Sequence, residues 1–294
     1  MLRYKNSIVR EKLLVYGKTV DGSEMLLGVP GRLSLKMDKD AASLLSFKMR
    51  VDCTKERFCE IWVLSGNKEI FRGIPDEEIY KRDYSGTCLE ISARCKISLL
   101  IDNEVMPQKI NNPSVSFFSR KFLEPLGFKL KSSVKKGFGE LKAVEGTSVL
   151  GFLNSFLSKA FATKPVIKSD GSIYLLSEYS PKTNRPDESK LLKAEVTSRN
   201  YEAVSEYVLK DSVTGAYNMH VTNPENISVI RRKYRDKAKD VDFTVSREVR
   251  LILEGFVDME VYDRIEFLDE RGIIESVKYE RDASGDKTTV CFKT

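Results

Sequence analysis

The sequence predicts a β-rich α+β protein in which two β segments flank a small α/β segment. Three observations support this fold class. Apolar and polar residues alternate strictly over 45–53, apolar residues recur at intervals of three and four between 112 and 161, and alternation returns over 249–261. At roughly 150 residues per domain, a chain of 294 residues is long enough for about two domains.

The first hundred residues are predicted to form short β-strands. Every second side chain of residues 45–53 (LSFKMRVDC) is apolar, which is typical of a strand with one buried and one solvated face. The same alternation occurs in 33–38 and 87–93, and the apolar run 60–64 ends at a Ser-Gly-Asn turn signal. Several short strands spaced about ten residues apart indicate a sandwich or a barrel.

The middle of the chain has helical spacing. Asn112-Pro113 predicts a helix start, with Asn as the N-cap and Pro at the first helical position, and apolar residues follow on one helical face up to Leu126. A second helix is predicted over 147–161, a short strand over 140–144, and a hairpin that turns at Asp170-Gly171. Together these elements predict a small α/β unit.

A polar segment with two prolines, residues 178–190, predicts a domain boundary. Beyond it, alternation predicts strands over 249–253 and 257–261. The last segment is predicted to be a hairpin that turns near Ser284-Gly285. No internal repeat is evident from the residues.

The composition excludes several classes of protein. Hydrophobic residues make up 41% and charged residues 31%, which is ordinary for a soluble globular protein and wrong for a disordered one. No stretch approaches about 18 consecutive apolar residues, so no membrane span is expected, and the first residues lack the apolar run of a signal peptide. The net charge of +6 makes the chain only mildly basic.

Cysteine and histidine usage argues against metal and disulfide chemistry. The five cysteines, an odd number without CxxC spacing, are expected to be reduced; they are Cys53, Cys59, Cys88, Cys95 and Cys291. His220 is the only histidine, which rules out every metal site that needs two histidines. No strained nucleophile turn accompanies it, so we expect no catalytic triad.

Other catalytic and cofactor motifs are also missing from the sequence. Asp258 and Glu260 would share one strand face, where two carboxylates could attack a glycosidic bond, but alternating acids are also what a solvated strand face needs. No glycine-rich phosphate loop and no calcium-binding loop is present. We therefore expect no catalytic residues, no cofactor and no metal.

The densest basic run is RRKYRDKAK at 231–239, which holds six cations and Tyr234 against one acid. We predict that Arg231, Arg232, Lys233 and Arg235 bind a partner. Cations beside an aromatic ring also suit nucleic acid, because phosphates attract the cations and the ring can stack on a base. A patch for an acidic protein and a plain solvated face are the other interpretations of this run.

One long stretch resembles baseplate hub proteins of contractile phage tails and of phage tail-like bacteriocins. The resemblance begins in CLEISARCKISLLIDNEVMPQKINNPS, where a strand ends in Ser92-Ala93-Arg94, a Leu-Leu-Ile-Asp-Asn-Glu motif follows at 99–104, and Asn112-Pro113-Ser114 starts the next element. It covers about residues 85–294. Its further segments, in the order typical of that family, are FLEPLGF, KGFGELKAVEGTSVLGFL, TKPVIKSDGSIYL, IRRKYRDKAK and YDRIEFLDERGIIESVKYERDASGDKTTV.

The resemblance implies two β-barrel domains similar to tail-tube subunits, residues 1–98 and 181–294, flanking an inserted α/β domain, residues 99–180. It implies a homotrimeric ring whose six β domains adapt the sixfold tail tube to the threefold central spike, without catalysis. The implied partners are the spike, the tube protein, other baseplate proteins and, as a further candidate, the tape measure protein.

The resemblance also implies that the protein is part of a virion or tail-like particle that assembles in the bacterial cytoplasm. No membrane and no sequence-specific nucleic acid is expected as a partner. Because tail lumens tend to be acidic, we expect the basic run to face partners instead of the lumen. A nucleic-acid-binding protein that uses 231–239 and a tail-associated cell-wall hydrolase are the alternatives.

Overall fold

The computed structural model describes residues 13–39, 41–51, 56–84, 86–132, 139–198, 203–225, 231–243, 245 and 247–294. These residues are mostly β. In chain order the strands are β1 Leu13–Thr19, β2 Glu24–Gly28, β3 Arg32–Asp38, β4 Leu44–Val51, β5 Phe58–Ser65, β6 Lys68–Asp83, β7 Gly86–Cys95, β8 Gln108–Asn111, β9 Lys129–Lys131, β10 Glu140–Ala143, β11 Pro165–Ile167, β12 Ser172–Leu175, β13 Thr183–Asn184, β14 Leu191–Ser198, β15 Glu206–Lys210, β16 Tyr217–Thr222, β17 Arg232–Arg235, β18 Arg247–Glu254, β19 Arg264–Phe267, β20 Glu270–Asp282 and β21 Gly285–Lys293. The α-helices are α1 Ser98–Asp102, α2 Val115–Phe118 and α3 Val149–Phe161.

The main sheet has thirteen strands, eleven of them in the order β14-β18-β21-β20-β3-β4-β7-β6-β5-β1-β2. The other two, β13 and β19, join it through β20. The first and last parts of the chain meet where β20 pairs antiparallel with β3. The predicted β-rich α+β class is confirmed, and the two β segments share one continuous sheet.

The core of the main sheet follows the alternation predicted from the sequence. In β4, Leu45, Phe47, Met49 and Val51 are buried and the residues between them are exposed. Side chains of both β segments pack in this one core. Burying each large apolar side chain contributes roughly 1.5–3 kcal/mol, so the shared core holds the two β segments together.

The α/β segment has its own core of aromatic residues. The rings of Phe118 and Phe156 are stacked with their centroids 4.6 Å apart. The predicted helix start at Asn112-Pro113 is wrong: Ser114 is the N-cap of α2, since its side chain accepts a hydrogen bond from the Phe117 amide. Asn112 has a positive φ of 50°, which is incompatible with entering a helix there. The helix predicted over 147–161 is α3, capped by Ser148.

A separate three-stranded sheet, in the order β16-β15-β17, lies between β14 and β18 in the chain. We call it the satellite sheet. Its small core contains Val204, Tyr207 and Leu209, with Val221 and Phe243 packed against them. The sequence did not reveal this unit, because its strands carry few strictly alternating apolar residues.

The strand predicted over 257–261 is wrong, although the hairpin at Ser284-Gly285 is confirmed as β20–β21. The backbone of residues 257–261 forms hydrogen bonds with side chains of β20 and β21 instead of with a neighbouring strand. Thr288 Oγ1 accepts a hydrogen bond from the Val257 amide, and the Tyr279 hydroxyl donates one to the Val257 carbonyl. Positive φ angles at Gly255 and Tyr262 bend the chain at both ends of the segment.

Within the described ranges, no helix is both long and apolar enough to cross a membrane. The same ranges contain no cluster of three or more histidine, cysteine or acidic residues arranged to hold a metal ion. Cys59, Cys88, Cys95 and Cys291 are free thiols, and Cys53 lies outside the described residues.

Candidate partner-binding surfaces

The structure places the predicted partner-binding residues on and next to one strand of the satellite sheet. Arg232, Lys233 and Arg235 belong to β17, and Arg231 directly precedes it. β17 pairs in parallel with β15, and along its other side no described strand pairs with it. Residues 232–235 of the basic run therefore form an edge strand, and its last residues enter a short 3-10 helix, Ala238–Asp240.

Acidic and aromatic neighbours hold part of this basic strand. Glu206 on β15 accepts hydrogen bonds from both His220 and Arg232. These bonds, from His220 first and Arg232 second, lower the pKa of Glu206, and the same carboxylate raises the pKa of Arg232. His220, the only histidine, thus shares the Glu206 carboxylate with Arg232. Within the described part of the chain no acid pairs with Lys233.

An exposed aromatic pair lies beside these charges. The rings of Tyr234 and Tyr217 meet edge to face with centroids 5.5 Å apart, and Tyr234 remains 55% exposed. On the opposite face of the sheet, the Arg235 guanidinium lies 5.3 Å from the centroid of the Tyr207 ring. Tyrosine and arginine are enriched where proteins bind other proteins, so β17 can bind a partner through residues on either face of the satellite sheet.

A polar cluster joins the α/β segment to the main sheet. Lys168 donates a hydrogen bond of 2.7 Å to Glu260 and lies 3.8 Å from Asp263. The buried Asp263 also accepts a hydrogen bond of 2.9 Å from Tyr179. Burial opposes the charge of Lys168, but the hydrogen bonds with Glu260 and Tyr179 and the attraction of Asp263 outweigh it and raise the pKa of this lysine.

A cleft of about 940 Å³ lies beside this cluster, between α3 and the main sheet. Leu150, Asn154 and Ser158 of α3 form one wall. Charges of both signs line the rest, among them Lys68, Arg72, Lys96, Lys164, Glu60 and Glu69. The predicted acid pair, Asp258 and Glu260, lies here on an irregular segment, and each acid forms an ion pair with a lysine, Lys68 and Lys168 respectively. Each of these carboxylates therefore holds a lysine at the wall of the cleft.

The face of the main sheet opposite to its core is polar. Ser34, Ser46 and Ser92 are neighbours on three adjacent strands. Beside them Glu90 accepts hydrogen bonds of 2.7 Å from Lys48 and 2.8 Å from Lys81, which lower the pKa of Glu90 to about 2. The sheet therefore offers a wide surface of small hydroxyl groups and paired charges.

Unpaired edges of the main sheet were not foreseen from the sequence. Among the strands that the structure describes, β14 pairs only with β18, β2 pairs only with β1, and residues 77–83 of β6 pair only with β7. Unpaired backbone groups along a strand invite pairing with another chain. A sequence cannot reveal such edges, because they depend on which strands become neighbours.

Comparison with known proteins identifies the fold. No protein-family model matches the chain, and no curated protein matches it. The 43 kDa tail protein of prophage MuSo2 from Shewanella oneidensis superposes with a TM-score of 0.70 at 14% identity and 96% coverage of both chains. The tail protein from Neisseria meningitidis MC58 gives 0.68 at 14% identity, covering 96% of this chain and 97% of that one.

A third similar structure belongs to a secretion system. The Escherichia coli c3393 protein, a type VI secretion component described as similar to the T4 tail proteins gp27 and gp5, gives a TM-score of 0.56 at 9% identity. The match covers 90% of this chain and 73% of that one. The resemblance predicted from residues 85–294 is thereby confirmed at the level of the fold: the chain has the fold of phage and prophage tail proteins.

Proposed function

We propose that this chain is the structural hub of a contractile-tail baseplate, with a structural and not a catalytic role. Three copies form a ring that adapts the sixfold tail tube to the threefold central spike. The two β segments, 1–98 and 181–294, act as tube-like domains, and 99–180 is the inserted domain. The protein belongs to a virion or tail-like particle that assembles in the bacterial cytoplasm.

One observation carries the proposal: β14 and residues 77–83 of β6 each pair with a described strand on one side only, in a chain whose fold matches tail proteins over nearly its whole length. An open, twisted sheet with two long edges is a liability for a monomer in solution. Head-to-tail association of identical copies removes both edges when the rotation closes a ring.

The proposal also assigns partners. The spike, the tube protein and other baseplate proteins bind the two ends of the ring, and the tape measure protein is a further candidate. The basic strand β17 faces one of them, because Lys233 and Tyr234 are exposed on an edge strand at the surface of the satellite sheet. Charge complementarity there would set specificity and association rate more than affinity.

The first test is the native mass of the chain, measured by light scattering with the candidate spike protein co-expressed. We expect a particle that contains three copies of this chain. A monomer that binds neither spike nor tube protein would remove the proposal.

A second test addresses the basic run. Replacing Arg231, Arg232 and Lys233 by serine should weaken assembly with the spike or the tube protein. Replacing three exposed lysines of the α/β segment, Lys129, Lys142 and Lys159, removes the same charge elsewhere and should leave assembly unchanged. Intact assembly by the first variant contradicts the assignment of β17. If that variant instead loses a steeply salt-dependent affinity for DNA, the run binds nucleic acid.

A further inference from the structure

The first five residues of β6 lack a neighbouring strand on one side. β6 has sixteen residues, but β7 pairs with it only from Gly73 onwards. β7 ends at Cys95, opposite Gly73, where the chain turns into α1. On the other side β5 pairs with residues 68–73. Among the described strands none continues past Cys95, so residues 68–72 have one open edge.

This open edge borders the cleft between α3 and the main sheet. Residues 68–72 all line the cleft, and so do residues 95–97 at one end of the edge and 258–262 at the other. An ion pair between Lys68 and Asp258 marks that far end. In an antiparallel pair, every second residue directs its N–H and C=O groups away from the partner strand. Within the described ranges no backbone group outside the sheet bonds to residues 68–72, so the cleft contains backbone groups that β5 does not bind.

Two cations of the cleft lack an acidic partner. Within the described residues, Lys96 and Lys164 form no ion pair, whereas every acid that lines the cleft is already bound by a cation or by hydrogen bonds. Lys96 donates a hydrogen bond of 2.9 Å to the Gly127 carbonyl, which leaves its charge uncompensated. A ligand that brings carboxylates into the cleft would be complementary to both lysines.

Apolar side chains also line the cleft. Ile70 of β6, Ile97 before α1 and Leu150 of α3 are each only partly buried by the cores against which they pack. Covering such apolar surface favours binding, because it removes the surface from water. A ligand that suits this cleft therefore carries apolar as well as acidic groups.

We propose that the cleft binds an extended acidic segment of a partner protein, which pairs with residues 68–72 of β6 as an added strand. The segment takes the place beside β6 that β7 leaves after Cys95. Its backbone binds the open edge, its carboxylates bind Lys96 and Lys164, and its apolar side chains pack on the partly buried wall. Five paired residues require about 17 Å of extended chain. The inference goes beyond the proposed ring, because both walls of the cleft belong to one chain.

The open edge is what favours a polypeptide over other anions. Nucleic acid could compensate Lys96 and Lys164, but its phosphates are acceptors only. Residues 68–72 present donors and acceptors, since each residue carries one N–H and one C=O group. A second strand presents the same two groups in the matching order. A polypeptide with acidic side chains therefore satisfies both the edge and the two lysines.

The first test selects ligands for the full chain from a phage-displayed library of random dodecapeptides. Asn154 is an exposed residue of α3 that lines the cleft, so Asn154→Trp should fill it. We expect selected peptides in which acids alternate with apolar residues, and whose affinity for Asn154→Trp is lower about tenfold or more. Ser155→Trp, at an exposed position of α3 outside the cleft, should change the affinity less than about twofold. A library that yields no peptide dependent on the open cleft overturns the proposal.

Methyl groups on alternate backbone nitrogens of a selected peptide test for strand pairing. In an added strand, one alternate series of amides points at β6 and the other points away from it. Methylation of the first series should weaken binding about thirtyfold or more, and methylation of the second about threefold or less. The unmodified peptide should also slow hydrogen exchange of amides within residues 68–72. Equal losses for the two series, or unchanged exchange, would contradict pairing with β6.

The charge assignment has its own pair of variants. Lys96→Gln with Lys164→Gln should weaken peptide binding about fivefold or more, because two charge pairs are lost. Lys129→Gln with Lys142→Gln removes the same charge from exposed positions outside the cleft and should change binding less than about twofold. Equal effects of the two double variants count against the proposal. If a single-stranded dT oligonucleotide binds through Lys96 and Lys164 and no peptide does, these lysines bind nucleic acid and the proposal is wrong.

Discussion

Replacing Tyr279 with phenylalanine removes a single hydroxyl group from the core of the main sheet. The Tyr279 side chain is buried, and burial raises its pKa, so the hydroxyl stays protonated. This hydroxyl donates a hydrogen bond of 2.8 Å to the Val257 carbonyl and accepts one of 3.2 Å from the Met259 amide. These bonds hold the irregular segment that leads into β19, so we expect Tyr279→Phe to destabilise the fold.

The expected cost follows from the number of bonds and their burial. A buried polar group left without a partner costs roughly 1–3 kcal/mol, and the phenylalanine ring keeps the apolar packing, so Tyr279→Phe should cost about 2 kcal/mol. Tyr80→Phe is the matched control. It removes the hydroxyl of a half-buried side chain whose hydrogen bond to the Glu56 carbonyl water can replace, so it should cost about 0.5 kcal/mol.

Urea denaturation followed by tryptophan fluorescence measures both costs. Trp62 is the only tryptophan, and it lies on β5 of the main sheet, stacked on Tyr16 at 5.5 Å. Its signal therefore reports on the sheet that contains both tyrosines. Equal losses for the two variants, or a loss below about 0.5 kcal/mol for Tyr279→Phe, would refute the reasoning from burial.

Three further predictions concern other parts of the molecule. Because the pKa of Glu90 is lowered to about 2, its contribution to stability is present above the unfolded-state pKa and is lost as pH falls towards 2; Glu90→Gln should flatten the pH dependence of the urea midpoint between about pH 4.5 and 2. Phe156→Ala should cost about 3–5 kcal/mol and make the α/β segment sensitive to protease, whereas the exposed Phe117→Ala should cost about 1 kcal/mol or less. Gly272→Ala forces a methyl group against the Lys293 carbonyl and should lower the thermal midpoint, at a cost of about 1–3 kcal/mol.

Each of these predictions has a contrary outcome. An unchanged slope of stability between pH 4.5 and 2 in Glu90→Gln would mean that its lysine partners do not hold this carboxylate in solution. Similar losses for Phe156→Ala and Phe117→Ala would contradict the packing of the aromatic core. A Gly272→Ala variant as stable as the parent chain would contradict the close approach of β20 to β21.

The sequence was informative wherever local pattern determines structure. Strict alternation located β3, β4 and β7, helical spacing located α3, and turn residues located the two hairpins at 170–171 and 284–285. The strand predicted over 257–261 is wrong, although apolar and polar residues alternate there. Buried side chains of β20 and β21 form hydrogen bonds with the backbone of this segment, in place of a neighbouring strand. That arrangement depends on partners that are distant in the chain.

The candidate surfaces were only partly predictable, for a related reason. The basic run identified β17 by composition, but Glu206, which neutralises Arg232, comes from a strand 26 residues earlier.

The α/β segment and the satellite sheet leave the main sheet at the same end. The α/β segment follows the end of β7, the satellite sheet connects the end of β14 to the start of β18, and the hairpin tips at 83–86 and 282–285 point the opposite way. A ring of three copies would thus have two unlike rims. One rim would carry six nearly identical hairpin turns. The other rim would carry three α/β segments alternating with three satellite sheets. In the proposed ring, this difference between the rims would let a sixfold partner and a threefold partner each recognise its own side by shape.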